Sequence, residues 1–69
     1  MLDKFLINQN ALLRDALRKI EANNFGMILG TNDEGAVIGM ATDGDIRGYL
    51  LGGGALGVRS RMIAYLPNE

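Results

Sequence analysis

The side chains able to do chemistry in this 69-residue sequence are few, and its carboxylates cluster in two places. Asp33 stands beside Glu34, and Asp43 stands two residues before Asp45. Neither pair has a nucleophile or a base partner identifiable by spacing. The chain has no His and no Cys, so acid and base roles would fall on Asp, Glu, Lys or Tyr, and no stretch marks such a site. The same absence removes any disulfide and the nitrogen and sulfur ligands of a structural zinc. The spaced oxygens and closing Glu of an EF-hand calcium loop are missing as well. No catalytic residue and no metal ligand is assigned, and an enzyme is not expected.

Two further stretches carry motifs. Gly52-Gly53-Gly54-Ala55-Leu56-Gly57 matches G-x-G-x-x-G, but that fingerprint binds a dinucleotide only after a strand and before a helix. Here a helical pattern precedes it and too few residues follow, so it reads as a flexible helix end. Thr42-Asp43-Gly44-Asp45 supports two readings. In one it is a capping box, with the Thr42 hydroxyl accepting from a first-turn N–H and Asp45 reaching back. In the other, the strand-to-helix junction holds a phosphate on free N–H groups and the positive end of the helix dipole, with a carboxylate one turn in to accept from sugar hydroxyls.

The elements that would position these residues follow from apolar spacing. Leu13, Ala16, Leu17 and Ile20 fall on one helical face, with Arg14, Asp15, Arg18 and Lys19 on the other, which predicts an amphipathic helix over about 11–22. Asn10 is the candidate N-cap, and Asn23 or Asn24 the left-handed residue that ends it. The apolar runs at 25–29 and 36–41 flank the turn formers Thr31-Asn32-Asp33-Glu34-Gly35 and predict a hairpin. Their nearly continuous apolarity implies that both faces are covered, which one short helix cannot do, so a second helix or a second chain is required. Thr42 to Asp45 opens that second helix, with Ile46, Tyr49 and Leu50 on one face and the glycines at 52–54 closing it. Phe5-Leu6-Ile7 is a candidate edge strand. Residues 55–69 read as a connector or a swapped arm, with Pro67 ending any regular element.

Size and charge bound the partners. A chain this short, 48% apolar with no Trp, is one small domain near the lower limit of independent stability, and with no disulfide or zinc available the remaining stabiliser is association. A net charge of −1 gives no overall pull toward nucleic acid or an anionic membrane. No apolar run approaches the ~20 residues of a membrane span and no signal-peptide pattern is visible, so a cytoplasmic protein is expected.

Over about residues 3–51 the pattern resembles a CBS domain, the module named after cystathionine beta-synthase. The resemblance rests on Asn10-Ala11-Leu12-Leu13-Arg14-Asp15-Ala16-Leu17, on Gly26-Met27-Ile28-Leu29, and on Ile38-Gly39-Met40-Ala41-Thr42-Asp43-Gly44-Asp45-Ile46-Arg47. It implies an α+β fold, a β-α-β-β-α unit with a small sheet and two helices, occupying 1–54 and pairing with a second copy. It also implies a regulatory module that binds adenine nucleotides such as AMP, ADP or ATP, or related phosphate–ribose ligands, in a cleft between paired motifs. Thr42 would then contact phosphate, Asp45 the ribose hydroxyls, and the main chain at Ile7, Gly26, Met27 and Ile28 the base. Asp43 falls within the motif, and Arg47 would add charge at the phosphate. The variant Thr-Asp-Gly-Asp-Ile-Arg is most similar to copies appended to sugar-nucleotide transferases and sugar-phosphate isomerases, so a fused or associated enzyme domain is implied.

The sequence departs from that pattern in several places. Leu12 replaces a usual Ser or Thr, Gly48 a usual Arg, and Gly30-Thr31-Asn32 an apolar-apolar-Asp strand ending. These departures keep open an alternative: a dimerisation or scaffolding domain with a degenerate pocket. One motif in place of two makes the chain look like half a module, and the expected assembly is a homodimer with a two-fold axis or a higher homo-oligomer.

Overall fold

The computed structural model describes residues 2–66, so Pro67 and the rest of 67–69 lie outside the described residues. The chain is α+β. A 3-10 turn at Leu2–Phe5 leads into β1 (Leu6–Asn8), α1 (Leu13–Asn23), the hairpin β2 (Met27–Thr31) and β3 (Val37–Thr42), α2 (Asp43–Leu51) and a 3-10 segment at Ser60–Tyr65. The sheet order is β1-β2-β3, with β1 parallel to β2 and β2 antiparallel to β3. The candidate edge strand is therefore real. It pairs through Leu6 with Leu29 and through Ile7 with Gly30.

Helix α1 begins two residues later than its polar–apolar pattern predicts, and Asn10 is not its cap. The N-cap is Leu12, with no side-chain cap bond. Main-chain carbonyls from the C-terminal segment take that place: Leu13 N–H donates to Val58 O at 2.8 Å and Arg14 N–H to Leu56 O at 3.1 Å. Asn10 instead donates to Asp33 Oδ1 at 2.9 Å and accepts from Arg61. At the other end Asn24 takes the left-handed conformation, φ 64°. Asn23, buried to 4% exposure, donates to Lys4 O and Met27 O and accepts from Phe25 N–H, tying the helix end to both flanking segments.

Register and strand alternation put Ile7, Ile28, Gly30, Gly39 and Ala41 on one face of the sheet. That face carries the core, closed by Leu13, Ala16 and Ile20 of α1, Ile46 of α2, and Ile63 and Leu66 from the chain end. Residues 55–66, within the stretch read as a connector or swapped arm, fold back on their own chain. Ser60 N–H donates to Ala11 O at 2.7 Å and Arg61 N–H to Gln9 O at 3.0 Å, and Leu12 bridges Arg59. Gly39 makes the approach possible, because a Cβ there would lie 2.9 Å from Ala64 Cα.

The expectation that both sheet faces are covered is corrected for the single chain. Both helices and the C-terminal segment pack on one face. The opposite face carries Leu6, Met27 and Leu29, half-buried, and Met40, 38% exposed. Just before β2, Phe25 is 68% exposed and meets Phe5 edge-on at 5.0 Å between ring centroids. No helix among the described residues is long and apolar enough to cross a membrane.

Candidate functional site

Strand β3 runs directly into α2 at Thr42, and the capping box forms in full. Thr42 Oγ1 accepts from Asp45 N–H at 3.1 Å, and Asp45 Oδ2 accepts from Thr42 N–H at 2.9 Å. The intervening Asp43 N–H donates to Gly26 O at 3.0 Å, so the start of β2 is held against the helix start. Gly26 reaches that position with φ +71°, a conformation that favours glycine. Met27 then pairs with Thr42 across the ladder. Asp43 and Arg47, one turn apart, form an exposed ion pair in which Arg47 Nε donates to both carboxylate oxygens at 3.0–3.1 Å.

The structure thus brings together Thr42, Asp43, Asp45 and Arg47 with the main chain of Gly26 and Met27. Ile28 lies one step further in, its side chain fully buried opposite Ala41. Ile7 is not adjacent to the helix start. It sits on β1, beyond β2, opposite Gly30, with its side chain in the core and its carbonyl facing the Thr31 hydroxyl at 3.4 Å. Arg47 is committed to Asp43 in this state, so each largely neutralises the other. Asp33 and Glu34 lie exposed at the hairpin tip, where Asp33 accepts from Asn8 and Asn10.

Beside Asp45 lies an open groove of about 380 Å³. One wall is α2, through Gly44, Asp45, Gly48 and Tyr49; the other is Met62, Tyr65 and Leu66 of the C-terminal segment. Met62, Tyr65 and Leu66 of the second wall carry no motif in the sequence. The i, i+4 spacing of Gly44 with Gly48 and of Asp45 with Tyr49 was readable, since those pairs share a helix face. What faces them depends on the return of the chain end, which no local pattern signals. The G-x-G-x-x-G stretch is a helix end, as read: Gly52 is the C-cap of α2, its N–H donates to Gly48 O, and Gly53 has φ +103°. Among the described residues, no group of three or more Asp and Glu side chains could hold a metal ion.

No family model matches the chain, and no curated protein matches it in sequence. Among solved structures, it is similar to a CBS-domain-containing protein from Agrobacterium tumefaciens, with a TM-score of 0.74 at 22% sequence identity. The match covers 90% of this chain and 52% of that one, so the chain spans about half the length of the solved protein. At that identity the likeness is one of fold: the three-stranded sheet with its two helices is a CBS-like β-α-β-β-α unit.

Proposed function

We propose that the chain is a regulatory, non-catalytic module of the cytoplasm that binds an adenine nucleotide, or a related phosphate–ribose ligand, in a cleft completed by a second copy. The observation that carries this reading is the wiring of the capping box. Thr42 Oγ1 is used as an acceptor, which leaves the hydroxyl hydrogen to donate to a phosphate oxygen. Asp45 engages Oδ2, which leaves Oδ1 to accept from a ribose hydroxyl. Cap and ligand site, alternatives on spacing alone, are compatible in three dimensions, and the helix start is organised before a ligand arrives. The positive end of the nine-residue α2 adds to the attraction for phosphate.

Calorimetry with AMP, ADP and ATP tests the reading. Asp45→Asn keeps an oxygen for Thr42 N–H but removes the charged acceptor, and weaker binding by about 1.5–3 kcal/mol, roughly 10- to 100-fold, is expected. Failure of all three nucleotides to bind below millimolar concentration would show the ligand reading to be wrong.

The second copy is proposed for the open sheet face, where Leu6, Met27, Leu29 and Met40 form a contiguous apolar surface. The match covers 52% of the solved protein of like fold, which leaves length for a second such unit there. The same face favours the alternative, a dimerisation or scaffolding domain whose Thr42 and Asp45 only cap a helix. That alternative predicts a dimer whose melting temperature does not move when nucleotide is added. The enzyme that such a module would regulate, on the Thr-Asp-Gly-Asp-Ile-Arg resemblance, is of the sugar-nucleotide transferase or sugar-phosphate isomerase kind.

A further inference from the structure

We infer that residues 55–66 are a latch: they open as a unit separate from the sheet, and when closed they both hold the N-terminus of α1 and supply the second wall of the groove beside Asp45. Closure on α1 is made mostly by main chain, through Leu13 and Arg14 N–H donating to Val58 and Leu56 carbonyls and Ser60 and Arg61 N–H donating to Ala11 and Gln9 carbonyls, with the Ser60 hydroxyl donating to Leu12 O and Arg59 and Arg61 to Asn10. At its other end the same segment presents Met62, Tyr65 and Leu66 to the groove.

Its attachment is thin for its length. Ile63 and Leu66 are its only buried apolar side chains, Leu56 and Val58 are half-buried against the core, Tyr65 is 78% exposed, and the regular part is a 3-10 segment with its poorer hydrogen-bond geometry. Ordering a dozen residues against two buried and two half-buried apolar side chains leaves little surplus. The base of the segment is Gly52-Gly53-Gly54, where backbone rotation meets few side-chain barriers. A low-lying local opening is the consequence, with α1 losing the carbonyl partners of its first amides at the same moment. A ligand that touches both walls binds only the closed form, so its occupancy holds the latch shut. This last step rests on the ligand reading above; the latch itself does not.

Native-state hydrogen exchange on the full chain tests both. Without ligand, the amides of Leu13, Arg14, Ser60 and Arg61 are expected to exchange as one group, about tenfold or more faster than those of Ile28 and Ala41 in the β2–β3 ladder. Coincident rates for the two groups would overturn the latch. Leu12 and Arg59 form an antiparallel bridge flanked by the Leu13–Val58 and Ser60–Ala11 bonds, a non-hydrogen-bonded pair whose Cα atoms lie about 4.5 Å apart in such geometry, within disulfide reach. In this cysteine-free chain, oxidised Leu12→Cys with Arg59→Cys is expected to slow the latch amides to the ladder rate. A persisting rate difference, or failure of the pair to oxidise within one chain, counts against the latch. AMP at 100 times its Kd is expected to slow both groups about 100-fold. Slowing of the ladder alone refutes the coupling and spares the ligand site. Slowing of neither refutes nucleotide binding and the coupling with it, while the ligand-free rates still decide the latch.

Discussion

Replacing Gly39 by alanine would place a methyl carbon 2.9 Å from Ala64 Cα and 3.2 Å from both Ala64 N and Ile63 O. All three obstacles are backbone, so no side-chain rotation relieves the clash. Either β3 shifts, or the segment carrying Ile63 lifts off the sheet. Overpacking of this kind costs about 1–3 kcal/mol. Lifting the segment forfeits burial of Ile63 and Leu66, about 1.5–3 kcal/mol each, but regains much of the conformational entropy of the segment, so it is the cheaper escape. Gly39→Ala should therefore lower stability by about 1–3 kcal/mol. For a domain of this size each kcal/mol corresponds to about 4–8 °C in Tm, readable by thermal and urea unfolding. The internal control is Gly30→Ala on the same rung of the ladder, where the new methyl meets Ile63 Cβ and Cγ2 at 3.6 Å and Ile38 Cγ1 at 3.7 Å, ordinary contacts. It should be neutral or stabilising by about 0.5–1 kcal/mol through reduced backbone entropy. A Gly39→Ala chain that melts with the parent, or a Gly30→Ala chain that loses as much, refutes the packing argument.

Asn23→Ala strands the Lys4 and Met27 carbonyls and the Phe25 amide, and should cost at least about 2 kcal/mol in urea unfolding. Thr42→Ala removes the acceptor for Asp45 N–H and should cost about 1 kcal/mol, whereas Thr42→Ser should cost much less; urea midpoints separate the two. Gly48→Ala puts a methyl into open space on α2 and should raise stability by about 0.5–1 kcal/mol. Since Gly48 lines the groove, the same variant should bind AMP more weakly while melting higher, which calorimetry and thermal melts read together. Met40→Lys on the open sheet face should leave single-chain stability within about 0.5 kcal/mol but shift sedimentation toward monomer.

The parts of the fold legible in the sequence are those where side chains carry the pattern. Leu13, Ala16 and Ile20 mark the buried stripe of α1, and the turn formers between β2 and β3 mark the hairpin: Asn32 Oδ1 accepts from both Glu34 and Ala36 N–H. Thr42 and Asp45 were readable as a box because both of its bonds involve side chains. Strand β2 starts two residues later than its apolar run because Phe25 is apolar yet exposed, and Gly26 turns the chain with positive φ before the strand begins. Residues 55–66 were opaque for the opposite reason. Their attachment to residues 9–14 is mostly main chain to main chain, which any sequence could supply, and the seat they occupy is marked by side chains that are missing, at Gly30 and Gly39.

That attachment also gives a physical account of the places where the chain departs from the pattern it resembles. Leu12 lacks a capping hydroxyl, but the Val58 and Leu56 carbonyls already take the first amides of α1, so a side-chain cap there would be redundant. Gly30 stands where Ile63 packs; a methyl there only touches Ile63 at 3.6 Å, but the longer apolar side chain of the pattern would push the segment away. Thr31 is buried with its hydroxyl turned to Ile7 O, and Asn32 organises the hairpin turn. The substitutions at 12 and 30 therefore match a chain end that folds onto its own sheet, and neither touches the Thr42–Asp45 junction. Only Gly48 borders the groove, and there the change removes bulk from the wall. Leu12 thus carries little weight as a sign of a degenerate pocket, and the choice between ligand module and scaffold turns on whether the free Thr42 hydroxyl hydrogen and Asp45 Oδ1 are ever used.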